Sequence, residues 1–234
     1  MTATAVAFVG DDFPYGRVTS QEAKDAISKA KPKSFWLDSK SRPKAAPGLA
    51  KDISTGLVIV GGGFTGLWTA INAKIHQPNL DVVLIDSQRI GDGAAGRNGG
   101  FVSASLTHGF PNGFGRWEHE LTQLVALGHE NLDEIEDFLI EHKIDADFEW
   151  FGEFDVAITQ EHADELKEMT ATAKKYGEDF TFFDTQEFSK YVKSPLYKGA
   201  MLDADCALVN PAKLAWGLRK VALKLGVEIY ENSP

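Results

Sequence analysis

Leu57-Val58-Ile59-Val60-Gly61-Gly62-Gly63-Phe64-Thr65-Gly66, then a helical stretch and Val82-Val83-Leu84-Ile85-Asp86, is the passage whose reading decides the fold. The first β-branched run reads as a buried parallel strand, which needs no polar alternation because both its faces are covered. Gly61 permits a tight turn, Gly63 lets a pyrophosphate approach the backbone, and Gly66 lets the next helix sit close against the sheet. That helix aims its free N–H groups and the positive end of its dipole at the phosphates. Asp86 follows about 20 residues later, where a carboxylate can accept hydrogen bonds from both hydroxyls of an adenosine ribose. A glycine turn alone says little. Here a strand precedes it, a helix and a second strand follow, and an acid closes the unit. The carboxylate argues against a cofactor carrying a 2′-phosphate, which favours Arg at that place. The fold class is α/β, a Rossmann-type three-layer domain.

The next stretch is Arg89-Ile90-Gly91-Asp92-Gly93-Ala94-Ala95-Gly96-Arg97-Asn98-Gly99-Gly100. So glycine-rich a run cannot form a packed helix or strand of its own. It predicts a loop with accessible backbone N–H groups, suited to an anion or a flat ring brought close to the main chain.

Gly61–Gly66, Asp86 and Gly96-Arg97-Asn98-Gly99-Gly100 together resemble the flavoprotein amine and amino-acid oxidase superfamily, the group of D-amino-acid oxidase, glycine oxidase and sarcosine oxidase. Within it the Gly-Arg-Asn-Gly-Gly run is most similar to the γ-glutamylputrescine oxidase-like branch, which also resembles this chain in Trp36-Leu37-Asp38-Ser39. Two departures stand out. Ala95 replaces the branch's usual Ser, removing a hydrogen bond to phosphate but not the backbone cradle, and Asp86 replaces the common Glu with a shorter reach.

The resemblance implies non-covalent FAD. Gly61, Gly63 and Gly66 would hold the pyrophosphate and Asp86 the ribose, Phe64, Thr65 and Ser87 would be further cofactor-binding residues, and Arg97, Asn98, Gly99 and Gly100 would run along the pyrophosphate and the inner edge of the flavin ring. It implies an oxidoreductase acting on a C–N bond of an amine or amino acid, with hydride passing to flavin N5, an imine product, and O2 or another acceptor. No catalytic residue is assigned. His108 is a candidate for facing the flavin, with a structural histidine as its other reading. Two alternatives are an NAD-dependent dehydrogenase, against which Arg97–Gly100 tells, and a non-catalytic subunit that keeps a nucleotide fold as scaffold.

Composition bounds the partners. The 234 residues carry 34 Asp plus Glu against 24 Lys plus Arg, a net charge of −10. That balance argues against nucleic acid, which is bound by neutralising phosphates with basic groups. The single cysteine, Cys206, leaves no internal disulfide or cysteine-based zinc site, and the histidines show no helical pairing, so no metal is expected. The stretch Met1–Val9 lacks a basic leader and no apolar run is long enough to span a bilayer, so the expected location is cytoplasmic.

Four segments are expected: an arm and linker over 1–56, the first part of an FAD-binding domain over 57–145, the start of an inserted α+β substrate domain over 146–208, and a return to the FAD-binding domain over 209–234. In the arm, Thr19-Ser20-Gln21-Glu22 predicts a capping box and a helix over about 20–30. Its basic residues read as a solvated linker, and Phe35-Trp36-Leu37 as the pin that holds the arm to the body. Helical periodicity covers 117–142, with Trp117 on the apolar face, acids on the solvated face, and Gly128 as a dividing point. A strand–turn–strand follows over 148–159, then a helix over 161–176, a strand over 180–183, a helical piece near 186–192 and strands around 199–209. Trp150, Phe151 and Tyr191 are candidates for a substrate wall, with core packing the favoured reading. Asn210 caps a last helix that opens on Pro211 and ends at Gly226, before a strand over 227–230. Three parallel strands leave the central strand with an open apolar edge, through which the chain could associate. With relatives in the resembling family running longer, the chain reads as an N-terminal portion.

Overall fold

The computed structural model describes residues 20–30 and 33–234. The chain divides into two units, Met1–Lys33 and Ser34–Pro234. In the first lies α1 (Gln21–Ile27), whose cap is Ser20: its Oγ accepts the N–H of Ala23 at 3.2 Å. Thr19, the expected cap, and the Met1–Val9 stretch lie outside the described residues.

The second unit runs β1 (Leu57–Val60), α2 (Phe64–His76), β2 (Val82–Ile85), β3 (Phe101–Ser103), α3 (Phe110–Trp117), α4 (Leu121–Glu141), β4 (Glu149–Trp150), β5 (Glu153–Ala157), α5 (Gln160–Ala173), β6 (Thr181–Asp184), α6 (Thr185–Phe188), β7 (Gly199–Asp203), β8 (Cys206–Leu208), α7 (Pro211–Lys224) and β9 (Glu228–Tyr230). A parallel sheet has the order β1-β2-β9, with Ile59 opposite Leu84 and Leu84 opposite Ile229. The other two sheets, β3-β8-β4 and β5-β7-β6, are antiparallel.

Alternation along the parallel strands places Ile59, Leu84 and Ile229 on one face, where Leu67, Ala70 and Ile71 of α2 and Leu214, Leu218 and Val221 of α7 pack on them. Leu67, Ile71, Leu84 and Leu218 are fully buried, and each contributes about 1.5–3 kcal/mol of burial. On the opposite face Val58 and Val60 of β1 are exposed, Val60 to 80%, whereas Val83 of β2, which pairs with Val58, is buried. Of three expected layers, the described residues supply the sheet and one helical layer. Among those residues β1 pairs with β2 alone, so its outer edge is open.

The end of α7 follows its local code. Asn210 accepts the N–H of Lys213 at 3.2 Å, Pro211 takes the first turn, and Gly226 leaves the helix at φ +88°. At the end of β9, Glu231 is almost fully buried. It accepts the N–H groups of Ile90 (2.8 Å) and Ala46, and lies 3.6 Å from the Arg219 guanidinium, tying the sheet to the arm.

Several expectations are corrected. Gly128 does not divide the long helix; α4 runs through it, and the break falls at the short 3-10 turn Glu118–Glu120. Gly128 stands where α4 meets the main chain after β3: a Cβ there would lie 1.8 Å from the carbonyl oxygen of Ala104. Trp117 is exposed, because it ends α3 instead of joining the apolar stripe of α4. The strands expected over 148–159 form, but in different sheets, since Gly152 (φ +73°) turns the chain between them. The helical piece near 186–192 closes after Phe188. Trp150, Phe151 and Tyr191 are not core residues; all are exposed, Phe151 to 68%. Of the aromatic pin, Leu37 is buried (5% exposed) against Ala212 and Trp216, whereas Phe35 projects into solvent.

Candidate functional site

At the carboxyl end of the parallel strands lies an open cleft of about 600 Å³. Its floor is the turn between β1 and α2, Gly61 to Gly66, with Thr69 one turn on; its far wall is Gly91, Gly93, Ala94, Ala95 and Asn98. Asp86 stands between them at the end of β2.

The turn is shaped by three glycines with different duties. Gly61 sits at φ +103°, and its N–H donates to the Ile85 carbonyl at 2.8 Å, extending the parallel ladder. A Cβ on Gly61 or Gly63 would meet no atom within 4 Å, so both present bare backbone to open space. A Cβ on Gly66, by contrast, would lie 1.9 Å from the Gly61 carbonyl oxygen, which is what lets α2 abut the turn. No side chain caps α2. The N–H groups of Phe64, Thr65 and Gly66 therefore lack intrahelical partners and point out of the helix end, where the dipole is positive.

Asp86 is held by the loops on either side. Oδ2 accepts the N–H of Gly62 at 2.6 Å, and Oδ1 accepts that of Gln88 at 2.7 Å. A carboxylate offers about four lone-pair sites, so acceptor capacity remains for hydroxyl donors. Among the described residues no Lys or Arg lines the cleft. The groups an anion would meet here are backbone N–H groups and the positive end of the helix dipole, the combination found at glycine-rich helix starts. Bare backbone, free N–H groups and a ribose-ready acid fit the adenosine and pyrophosphate half of a dinucleotide.

The structure brings Gly61, Gly63, Phe64, Thr65, Gly66, Asp86 and Asn98 together around the cleft and leaves Ser87, Arg97, Gly99 and Gly100 out of its wall. Arg97 turns back, its Nε donating to the Asp92 carbonyl at 2.7 Å. Asn98 braces the loop: its Nδ2 donates to the carbonyls of Ala94 and Ala95 (3.1 Å each), and its Oδ1 accepts the Gly100 N–H at 2.9 Å. Gly100, at φ +86°, accepts the Val209 N–H at 2.9 Å and joins the loop to the β3-β8-β4 sheet. His108 is exposed at φ +64° and outside the cleft wall. Ala95, noted for its lost hydroxyl, lines the cleft, and so do Thr69, Gly91, Gly93 and Ala94, which the sequence did not mark individually; the glycine-rich run carried the signal for the last three, and the helical spacing from Thr65 for Thr69.

A cluster of titratable groups lies elsewhere, where α4 meets the β7–β8 turn. His129 is 3.2 Å from Glu178 and 3.5 Å from Asp205. Burial, with Asp203 and Asp205 nearby, raises the Glu178 carboxyl although His129 opposes this; burial likewise raises Asp203. The Cys206 thiol is pushed up to about 12 by burial and by Glu153. Among the described residues no group of three or more His, Cys, Asp or Glu is arranged to hold a metal, and no helix is long and apolar enough to cross a membrane.

Residues 57–234 match the family described as DAO, FAD dependent oxidoreductase. The γ-glutamylputrescine oxidoreductase of Escherichia coli is 27% identical over 202 residues, which are 86% of this chain and 47% of that protein. A probable oxidoreductase OrdL of Haemophilus influenzae is 26% identical over 209 residues, with the same two coverages, 86% and 47%. The chain thus spans under half the length of these curated relatives. Among solved structures, glycine oxidase from Bacillus cereus superposes with a TM-score of 0.61 at 18% identity, covering 76% of this chain and 46% of that one. An L-amino acid deaminase from Proteus myxofaciens gives 0.63 at 20% identity, covering 83% and 42%. At such identities these two likenesses concern the fold.

Proposed function

This chain belongs to the family of FAD-dependent oxidoreductases, and from that premise we propose that its cleft holds the adenosine and pyrophosphate half of FAD, in a protein that oxidises the C–N bond of a small amine or amino acid. The observation that carries the reading is the uncapped start of α2 beside the bare backbone of Gly61 and Gly63, with Asp86 across the turn. The N–H groups of Phe64, Thr65 and Gly66 bind the pyrophosphate, and Asp86 accepts the ribose hydroxyls. Asn98 stands on the opposite wall, while Arg97, Gly99 and Gly100 shape the loop and Ser87 follows Asp86 outside the wall. The chemistry that FAD would supply when bound is hydride acceptance from the carbon bearing the amine, an oxidation of the C–N bond to an imine that water hydrolyses. The protein's part is to bind, orient and exclude water. The segments 1–56, 57–145, 146–208 and 209–234 serve as arm, cofactor domain, substrate-domain start and return to the cofactor domain, in a cytoplasmic setting. The names of the curated relatives support an amine-type substrate.

The test begins with an absorbance spectrum of the purified chain before and after acid precipitation. Flavin released into the supernatant is expected, followed by FAD titration of the stripped protein. Gly63→Ala places a methyl in space that no protein atom occupies, so the apo fold is expected to keep its melting temperature while FAD affinity falls at least about tenfold, or about 1.4 kcal/mol. Equal FAD affinity in Gly63→Ala and wild type would refute the placement of the pyrophosphate. An amine and amino-acid screen with FAD-loaded protein then tests the substrate class.

A further inference from the structure

We propose that residues 34–42, upstream of the nucleotide fold, form a strap that holds the 91–98 loop in the shape the cofactor needs; the cofactor part of this inference rests on the cleft being an FAD site. Four attachments join strap and loop. The Ser34 hydroxyl donates to the Gly96 carbonyl at 2.7 Å. The Trp36 indole N–H donates to the Asn98 carbonyl at 2.9 Å. The Arg42 guanidinium meets the Asp92 carboxylate at 2.5 Å. Leu37 fills the space between loop and α7, packed on Ala212 and Trp216, so closely that a Cβ on Gly96 would lie 2.9 Å from its Cδ2.

The loop needs such help. It is rich in glycine, which loses more backbone freedom on ordering than any other residue, and its own regular structure is one 3-10 turn, Ala94–Gly96. Its internal bonds, from Asn98 and Arg97, brace it along its length but fasten it to nothing else. The strap anchors it to the body, and it does so without entering the cleft, whose wall contains no residue from 34–42. Bonding the Gly96 and Asn98 carbonyls also commits these negative dipole ends to the strap, leaving Gly91, Gly93, Ala94 and Ala95 as the loop's face toward an anionic ligand. Ser34, Trp36 and Arg42 are positioning residues, acting on cofactor through the loop.

Backbone hydrogen–deuterium exchange on the cofactor-free chain tests the strap directly. Ser34→Ala and Trp36→Phe each remove one neutral hydrogen bond while keeping most of the bulk. Each is expected to speed exchange across 91–100 about fivefold, the worth of one such bond, with exchange across 57–76 unchanged. Ser34→Thr keeps the hydroxyl and is expected to restore the slow exchange. In FAD titrations the same two variants are expected to bind about fivefold more weakly and to shift the visible spectrum of the bound flavin, with Ser34→Thr again near wild type. Unchanged loop exchange in both variants, or acceleration spread over the whole chain, overturns the strap. A loosened loop with unaltered FAD affinity and spectrum overturns its cofactor role. If wild-type protein itself takes up no FAD, the cleft reading fails, while the exchange experiment still decides whether the strap holds the loop.

Discussion

Replacing Gly128 by alanine pits local preference against packing. Gly128 lies within α4, where alanine is favoured over glycine by about 1 kcal/mol on propensity alone. The structure opposes this. Gly128 is buried, and the added Cβ would lie 1.8 Å from the Ala104 carbonyl oxygen and 2.8 Å from its carbon. Backbone cannot rotate aside as a flexible side chain can, so α4 or the segment after β3 must retreat by more than 1 Å to reach ordinary contact at roughly 3.0–3.4 Å. That retreat opens the small core in which Ala104, Leu132 and Ala207 pack. Overpacking of this kind costs about 1–3 kcal/mol, and more when main chain must move; the upper end less the propensity gain leaves about 2 kcal/mol of destabilisation. For a chain of this size that is a fall in melting temperature of about 4–8 °C. Gly115→Ala in α3 is the matched control: its Cβ meets no atom within 4 Å, so it is expected to stabilise by about 0.5–1 kcal/mol. Thermal melts of both variants followed by circular dichroism give the comparison. A Gly128→Ala protein as stable as wild type, or moving in step with Gly115→Ala, would refute the claim that close approach selects glycine here.

Two further outcomes follow from the cluster beside α4 and its neighbour. Cys206 is fully buried with its thiol pushed up to about 12, so a thiol reagent at pH 8 is expected to label native protein negligibly and denatured protein completely; rapid labelling of the folded chain refutes this. Glu178 and Asp203 hold their protons more tightly folded than unfolded, so their contribution to stability is full below the ordinary carboxylate range and is lost as pH rises through their raised values. Glu178→Gln escapes that loss, and its melting temperature relative to wild type is expected to rise between pH 4 and 7; a constant or falling difference counts against burial as the main cause.

The β1–α2–β2 unit and its glycine turn were legible in the sequence because their determinants are local. A φ of +103° at Gly61, a helix start left uncapped at Gly63 and a β-branched run are written within a few neighbouring residues. The same holds for Asn210, Pro211 and Gly226 around α7. Other decisions needed the packed chain. Arg97, Gly99 and Gly100 stand in the most specific motif yet leave the cleft wall, because the loop turns on Asn98 and Gly100 must reach Val209. Gly128 reads as a helix breaker until Ala104 is brought against it, and Trp150, Phe151 and Tyr191 read as core until the sheets leave them outside. Sequence alone thus determined the nucleotide fold and its acid, since backbone conformation and capping act over a few residues. Which residues face the cleft, and that Ser34 and Trp36 fasten its far wall from 62 positions away, only the tertiary structure decided, because contacts at that separation depend on how the elements between them pack.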